Sequence, residues 1–195
     1  MIYDGTRGDK SLKHESLRFL AWSQLQNYDP DYDEGGARLR RAISSAYYAV
    51  FHLLVYETCL FMFGRNGVGD KSLRDYASRV FSHAKVKAVC DRAKEGQTMA
   101  ATVESVFPRL CKNAGSVAIV PSTLSRPYGL RVIADYELYT PLLKSTADDA
   151  VSDMNEAFDA LAYAKENDRG GFDALMTVLM TAALREPYNE KDKAT

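Results

Sequence analysis

The chain reads as all-α, an up-and-down bundle of four to five core helices with an additional C-terminal helix. Three observations carry that expectation. No proline or glycine falls between Ala37 and Phe63, which leaves a stretch well beyond the usual helix length unbroken. Val151, Met154, Phe158 and Leu161 repeat at three-four spacing, the period of one helix face. No segment alternates apolar and polar residues as a half-buried strand would. With 195 residues, 46% of them hydrophobic and 26% charged, the chain suits one domain able to bury a proper core. We place it at 11–185, between a flexible N-terminal segment (1–10) and a polar tail (186–195).

The elements follow in order. Ser11 to Gln26 reads as a first helix, with Leu12, Leu17, Leu20, Ala21 and Leu25 near helical spacing. The acid-rich stretch 27–36 is a loop that leads into the long second helix, where its carboxylates suit the positive helix end. Glycines at 64, 67 and 69 stop that helix near Phe63. A third helix covers Ser72 to Lys94, broken near Ser82-His83. Thr98 opens a fourth that reaches Lys112. Residues 113–127, with Pro121 and Pro127, read as a connector, and a fifth helix runs from Tyr128 to Tyr139. Thr146 to Asn167 is the clearest helix, with Ser145 and Thr146 each three residues ahead of an aspartate, in imitation of a capping box. Gly170-Gly171 breaks the chain before a last helix from Phe172 to Leu184.

Composition narrows the chemistry. Cys59, Cys90 and Cys111 are odd in number and widely separated, which argues against a disulfide framework or a structural zinc site and fits a cytoplasmic protein. The apolar run from Ala46 to Phe63 is interrupted by His52 and Glu57, so no membrane span is expected. The acids at 29–34 lack a calcium-loop register, and the glycines at 64–69 lack phosphate-loop spacing, so no metal and no cofactor is expected. Net charge is −1, yet residues 71–131 sum to +7 and residues 132–195 to −7. Such an asymmetry suits either a basic face for an anionic partner or two segments that attract one another.

The second helix carries the most informative stretch, Arg40-Arg-Ala-Ile-Ser-Ser-Ala-Tyr-Tyr-Ala-Val-Phe-His52. Helical spacing aligns Arg41, Ser45, Tyr48 and His52 on one stripe and Arg40, Ser44, Tyr47 and Phe51 on the next. Polar tips on so apolar a helix need partners. Spacing alone favours a structural account, with half-buried tyrosines bonded to neighbouring helices. The sharper account is a polar groove or subunit interface.

This stretch resembles the signature helix of the HEPN superfamily, in particular the branch with a Ser-Arg-x-Tyr-Tyr-Ala-x-Phe-His helix. Phe81-Ser82-His83 followed by Val89 is similar to that branch's third helix, and Arg131-Val-Ile-Ala-Asp135-Tyr136 to its Arg-x-x-Ala-Asp-Tyr stretch. The resemblance spans about Ser11 to Asn167. It implies a helical bundle that works as a homodimer, encoded beside a nucleotidyltransferase-like partner in toxin–antitoxin or defence modules. It also implies metal-independent RNA cleavage by an Arg-x4-6-His motif on a late helix, where histidine moves protons and arginine steadies phosphate charge. Two departures bear on that activity. The helix from Thr146 to Asn167 has no histidine, and Lys165 is its one basic residue; Ser45 stands where the branch has arginine. The single Arg-x4-6-His match, Arg7 to His14, lies near the N-terminus and is treated as chance.

The expectation is therefore a non-catalytic or weakly catalytic module that dimerises and binds RNA or a partner protein. The alternative is a metal-independent ribonuclease toxin with a displaced constellation drawn from Arg41, Tyr48, His52 and His83. Arg79, Lys85, Lys87 and Arg131 are the candidate binding residues. Structural readings stand beside these: His52 buried against a backbone group, Arg41 paired with Asp135 across the bundle, Arg131 paired with Asp135 along its own helix, His83 exposed among basic residues, and Tyr47, Tyr48 and Phe51 in the core.

Overall fold

The computed structural model describes residues 13–32, 36–64, 77–94 and 119–184. The segment 1–10, the helix from Thr98 to Lys112, the start of the third helix and the tail 186–195 lie outside the described residues. Within them the protein is all-α, with no strand. The helices are α1 (Lys13–Gln26), α2 (Ala37–Phe63), α3 (His83–Lys94), α4 (Ile119–Tyr136), α5 (Lys144–Asn167) and α6 (Arg169–Leu184), with a 3-10 turn at Ser78–Val80.

α2 is the axis on which the others pack: α1, α4, α5 and α6 all lie against it. Its composition explains the role. Leu39, Ala42, Ile43, Ala46, Tyr47, Ala49, Val50, Leu54 and Val55 are buried, so apolar side chains cover most of its circumference. α2 is long and apolar enough to cross a membrane, and over half of that apolar window is buried inside the bundle. Met154, Phe158 and Leu161 of α5 and Phe172, Leu175, Met176 and Leu179 of α6 complete one continuous core. Beside it, Glu57 of α2 meets Lys165 of α5 with Oε2 and Nζ 2.6 Å apart. α1 closes one flank through Ala21, Leu25 and the buried His14, whose ring lies 5.0 Å from Tyr56 and 6.0 Å from Phe158.

Three expectations about boundaries are corrected. The connector over 113–127 is helical from Ile119 onward, and α4 ends at Tyr136. Pro121 lies in the first turn, where backbone N–H groups have no intrahelical acceptor. Pro127 is inside the helix and buried, and burial of Val120 and Leu124 offsets the missing hydrogen bond. The glycine pair does not break the chain: Gly170 and Gly171 form the first turn of α6, and Asp168 Oδ1 accepts the Gly171 N–H at 3.2 Å as an N-cap. At α5 the cap residue is Leu143, which makes no side-chain cap bond. Ser145 and Thr146 sit inside the helix, and Lys144 pairs with Asp148 at 2.8 Å.

The break at Ser82-His83 is present. Ser82 Oγ accepts the Lys85 N–H at 3.2 Å and so starts α3. Part of the charge asymmetry is met inside the fold, since Arg126 of α4 reaches Asp153 at 2.7 Å and Asp149 at 3.5 Å on α5.

Candidate functional site

Three helices deliver polar side chains to one place beside the middle of α2. Tyr47, Tyr48, Phe51 and His52 come from α2, two adjacent residues from each of two successive turns. α3 presents His83 in its first turn. Val86, Val89 and Cys90 form the buried stripe of α3, and His83 lies three residues ahead of Val86 on that same side. In α4 the inward stripe runs Val120, Leu124, Arg131 and Ala134, so Arg131 occupies what the period makes a core position.

Arg131 is only 9% exposed, so its guanidinium needs partners. Arg131 Nη2 donates to the Tyr48 hydroxyl, and its Nε makes an ion pair with Asp135 Oδ2 at 2.8 Å. That Nε–H is not aligned for a hydrogen bond, so the contact is chiefly Coulombic. The guanidinium carbon lies 5.1 Å from the Tyr48 ring centre, 5.3 Å from Tyr136 and 5.9 Å from Tyr47. Tyr136 is 69% exposed and forms the outer edge of the cluster.

Both imidazoles lie against Phe51, with ring centres 4.1 Å away for His83 and 5.4 Å for His52. His52 also stacks on Tyr48 at 6.4 Å with the planes 25° apart. His83 Nδ1 is 2.9 Å from the hydroxyl of Tyr47, which is fully buried. Burial lowers the pKa of both histidines below the usual 6.5; Lys13, His83 and His14 push His52 further down, and Arg131 does so for His83. Burial raises the Tyr47 pKa far above its ordinary range, so that hydroxyl keeps its proton. Burial therefore leaves both imidazoles uncharged and the Tyr47 hydroxyl protonated at neutral pH, beside the Arg131–Asp135 ion pair.

The expected residues divide. Tyr48, His52, His83 and Arg131 come together. His52 is half-buried and lies against rings, with no backbone bond among the described residues. His83 is half-buried, not exposed, because Phe81 and Val86 anchor the start of α3. Arg41 stays outside on the exposed side of α2, and Asp135 is taken by Arg131, the pairing along one helix. The other basic candidates differ in their surroundings. Arg79 is exposed, but Lys85 Nζ donates to the Ala183 carbonyl at 2.8 Å, and Lys87 pairs with Asp91 while lying 5.5 Å from the Tyr128 ring centre.

Spacing alone did not single out Tyr136 or the role of Arg40. Arg40 reaches the C-terminal end of α4 and donates to the carbonyls of Ile133 (3.2 Å), Ala134 (3.4 Å), Glu137 (3.1 Å), Leu138 (2.9 Å) and Thr140. These include orphan carbonyls of a helix that ends without a glycine cap. The charge of the resembling motif's first arginine is thus used in architecture.

The chain matches no protein-family model, no curated protein and no solved structure.

Other chemistries find little purchase among the described residues. No three His, Cys, Asp or Glu side chains stand together as metal donors. Cys59 and Cys90 are buried, and burial pushes the Cys90 thiol up to about 12, so it carries no thiolate at neutral pH.

Proposed function

We propose that this chain is a HEPN-like helical module that dimerises and holds single-stranded RNA, cutting it weakly or not at all. One observation supports this most: Tyr48, His52, His83, Arg131 and Tyr136 converge from three helices, and Asp135 already counters the one cation among them. A cleavage site needs positive charge free to meet a phosphate as its charge builds. Here that charge is paired and mostly enclosed. What the face offers instead is aromatic edges and uncharged imidazoles, the chemistry on which bases stack with little regard to sequence.

The reading makes the interaction less salt-dependent than binding in a basic groove, because few counterions are released. Anisotropy of a fluorescein-labelled single-stranded RNA against salt tests this. Binding with a shallow salt slope, weakened about tenfold by Tyr136→Ala, is the expected result. No binding, or binding indifferent to Tyr136→Ala and His83→Leu, defeats it. Sedimentation of the same sample tests the homodimer. Retention of a nucleotidyltransferase-like protein in place of RNA would move the module's ligand from nucleic acid to protein.

The ribonuclease alternative has one specific observation in its favour. His52 makes no hydrogen bond with the described residues, so it is an imidazole with a nitrogen available as a base, on the same cluster as Arg131. Cleavage of labelled tRNA that survives EDTA and vanishes in His52→Ala establishes that activity and displaces the binding-only reading.

A further inference from the structure

We propose that Tyr47 is a positioning residue that fixes His83 with its ring proton on Nε2, so that this imidazole meets a ligand as a hydrogen-bond donor and not as a base. Tyr47 is fully enclosed at the centre of α2, ringed by Tyr48, Phe51, Tyr128 and His83. A buried hydroxyl hydrogen must find an acceptor. Among the described residues the acceptor within reach is His83 Nδ1, at 2.9 Å.

The contact admits two arrangements. If Tyr47 donates, Nδ1 is the acceptor, and a neutral imidazole must carry its proton on Nε2. If Nδ1–H donates to the phenol oxygen, the hydroxyl hydrogen is left unpaired inside the protein, which is the costlier state. The first arrangement therefore holds. Protonating His83 sets an N–H against that same O–H, in keeping with the downward direction that burial and Arg131 already give its pKa.

Nε2 lies on the far side of the ring and makes no hydrogen bond with the described residues. His83 as a whole is half-buried, so part of its ring reaches the surface of the described residues. His83 thus offers an N–H to an oxygen acceptor, either a phosphodiester oxygen or a base carbonyl. A nitrogen that carries a hydrogen has no lone pair with which to take a proton, which separates His83 from the general-base role that a histidine near an arginine suggests. Only the identity of the ligand rests on the RNA-binding reading; the tautomer does not.

Long-range 1H–15N NMR of the histidine side chains in the whole protein at pH 8 reads the tautomer directly. The expected result is His83 with a protonated Nε2 in the wild type, and in Tyr47→Phe a shift toward mixed tautomers with a higher His83 pKa. Wild-type His83 protonated on Nδ1, or a Tyr47→Phe spectrum with the tautomer unchanged, overturns the proposal. If Tyr47→Phe fails to fold, the wild-type spectrum alone decides.

The ligand arm uses oligouridylate and an abasic ribose-phosphate oligomer, with His83→Gln and His83→Leu. Glutamine keeps a donor N–H near the Nε2 position, so binding within about twofold of wild type is expected, against a loss of about tenfold in His83→Leu. Equal losses in both variants overturn the donor role. A loss that persists on the abasic oligomer identifies a phosphate oxygen; a loss confined to oligouridylate identifies a base carbonyl. If the wild type binds neither oligomer, the RNA-binding reading falls, while the NMR result still decides the tautomer.

Discussion

Arg40→Ala tests a side chain that makes five hydrogen bonds among the described residues. The guanidinium of Arg40 gathers five carbonyls at the end of α4 and in the turn that follows, from Ile133 to Thr140. Removing a charged partner from a buried group costs about 1.5–3 kcal/mol per hydrogen bond. The five do not add, because the Glu137 and Leu138 carbonyls lie where water can replace the arginine. The Ile133 and Ala134 carbonyls are more enclosed. A net loss of about 3 kcal/mol is expected. Arg40→Lys keeps the charge but offers three donors from one point in place of a planar fork, and should restore about half of it. Urea denaturation provides the measurement: the midpoint falls while the slope stays constant. A loss under about 0.5 kcal/mol for Arg40→Ala, or full stability in Arg40→Lys, refutes the clamp.

Three further predictions follow from burial and pairing. Leu54→Ala empties a nearly enclosed position on α2 and should cost about 2–5 kcal/mol in the same assay; a change below 1 kcal/mol means that α2 is not the axis of the core. Burial lowers the folded pKa of His14, His52 and His83 below 6.5, so in acid the unfolded chain binds more protons. Stability should accordingly be complete above about pH 6.5 and decline as the pH falls through the folded values, with His14→Phe flattening the decline; a urea midpoint that rises on acidification contradicts this. Lys165→Met should cost about 1 kcal/mol, because it leaves the mostly enclosed Glu57 carboxylate unpaired, and Glu57→Gln in the same chain should recover most of the loss; additive costs in the double-mutant cycle speak against a coupled pair.

Much of the fold was legible because helix-forming stretches announce themselves locally. The limits of α2 follow from where glycine is absent and then frequent, and the α5 stripe from Val151 to Leu161 is pure period. What sequence obscured were places where tertiary structure outweighs local preference. Pro127 and Gly171 both look like breaks, yet Val120 and Leu124 carry α4 through the first, and Asp168 caps α6 across the second. The cluster was half legible. Tyr48 and His52 share a stripe by arithmetic, and resemblance brought in His83 and Arg131. No spacing rule shows that Asp135 prefers Arg131 to Arg41, or that Tyr47 meets a histidine 36 residues away. Those choices depend on how α3 and α4 approach α2.

The position of α2 also sets an order of events during synthesis. Its early neighbour α1 is made before it, whereas α4, α5 and α6 all follow. At about 5–20 residues per second, the chain between Phe63 and Leu184 takes on the order of ten seconds to emerge. For that interval the two helices that help to bury α2 in the folded protein, α5 and α6, are not yet fully made. A 27-residue apolar helix in this condition is the kind of segment that chaperones and membrane-insertion machinery bind. Successful folding is then a race in which the C-terminal hairpin of α5 and α6, joined through the single residue Asp168, must arrive before a competitor does.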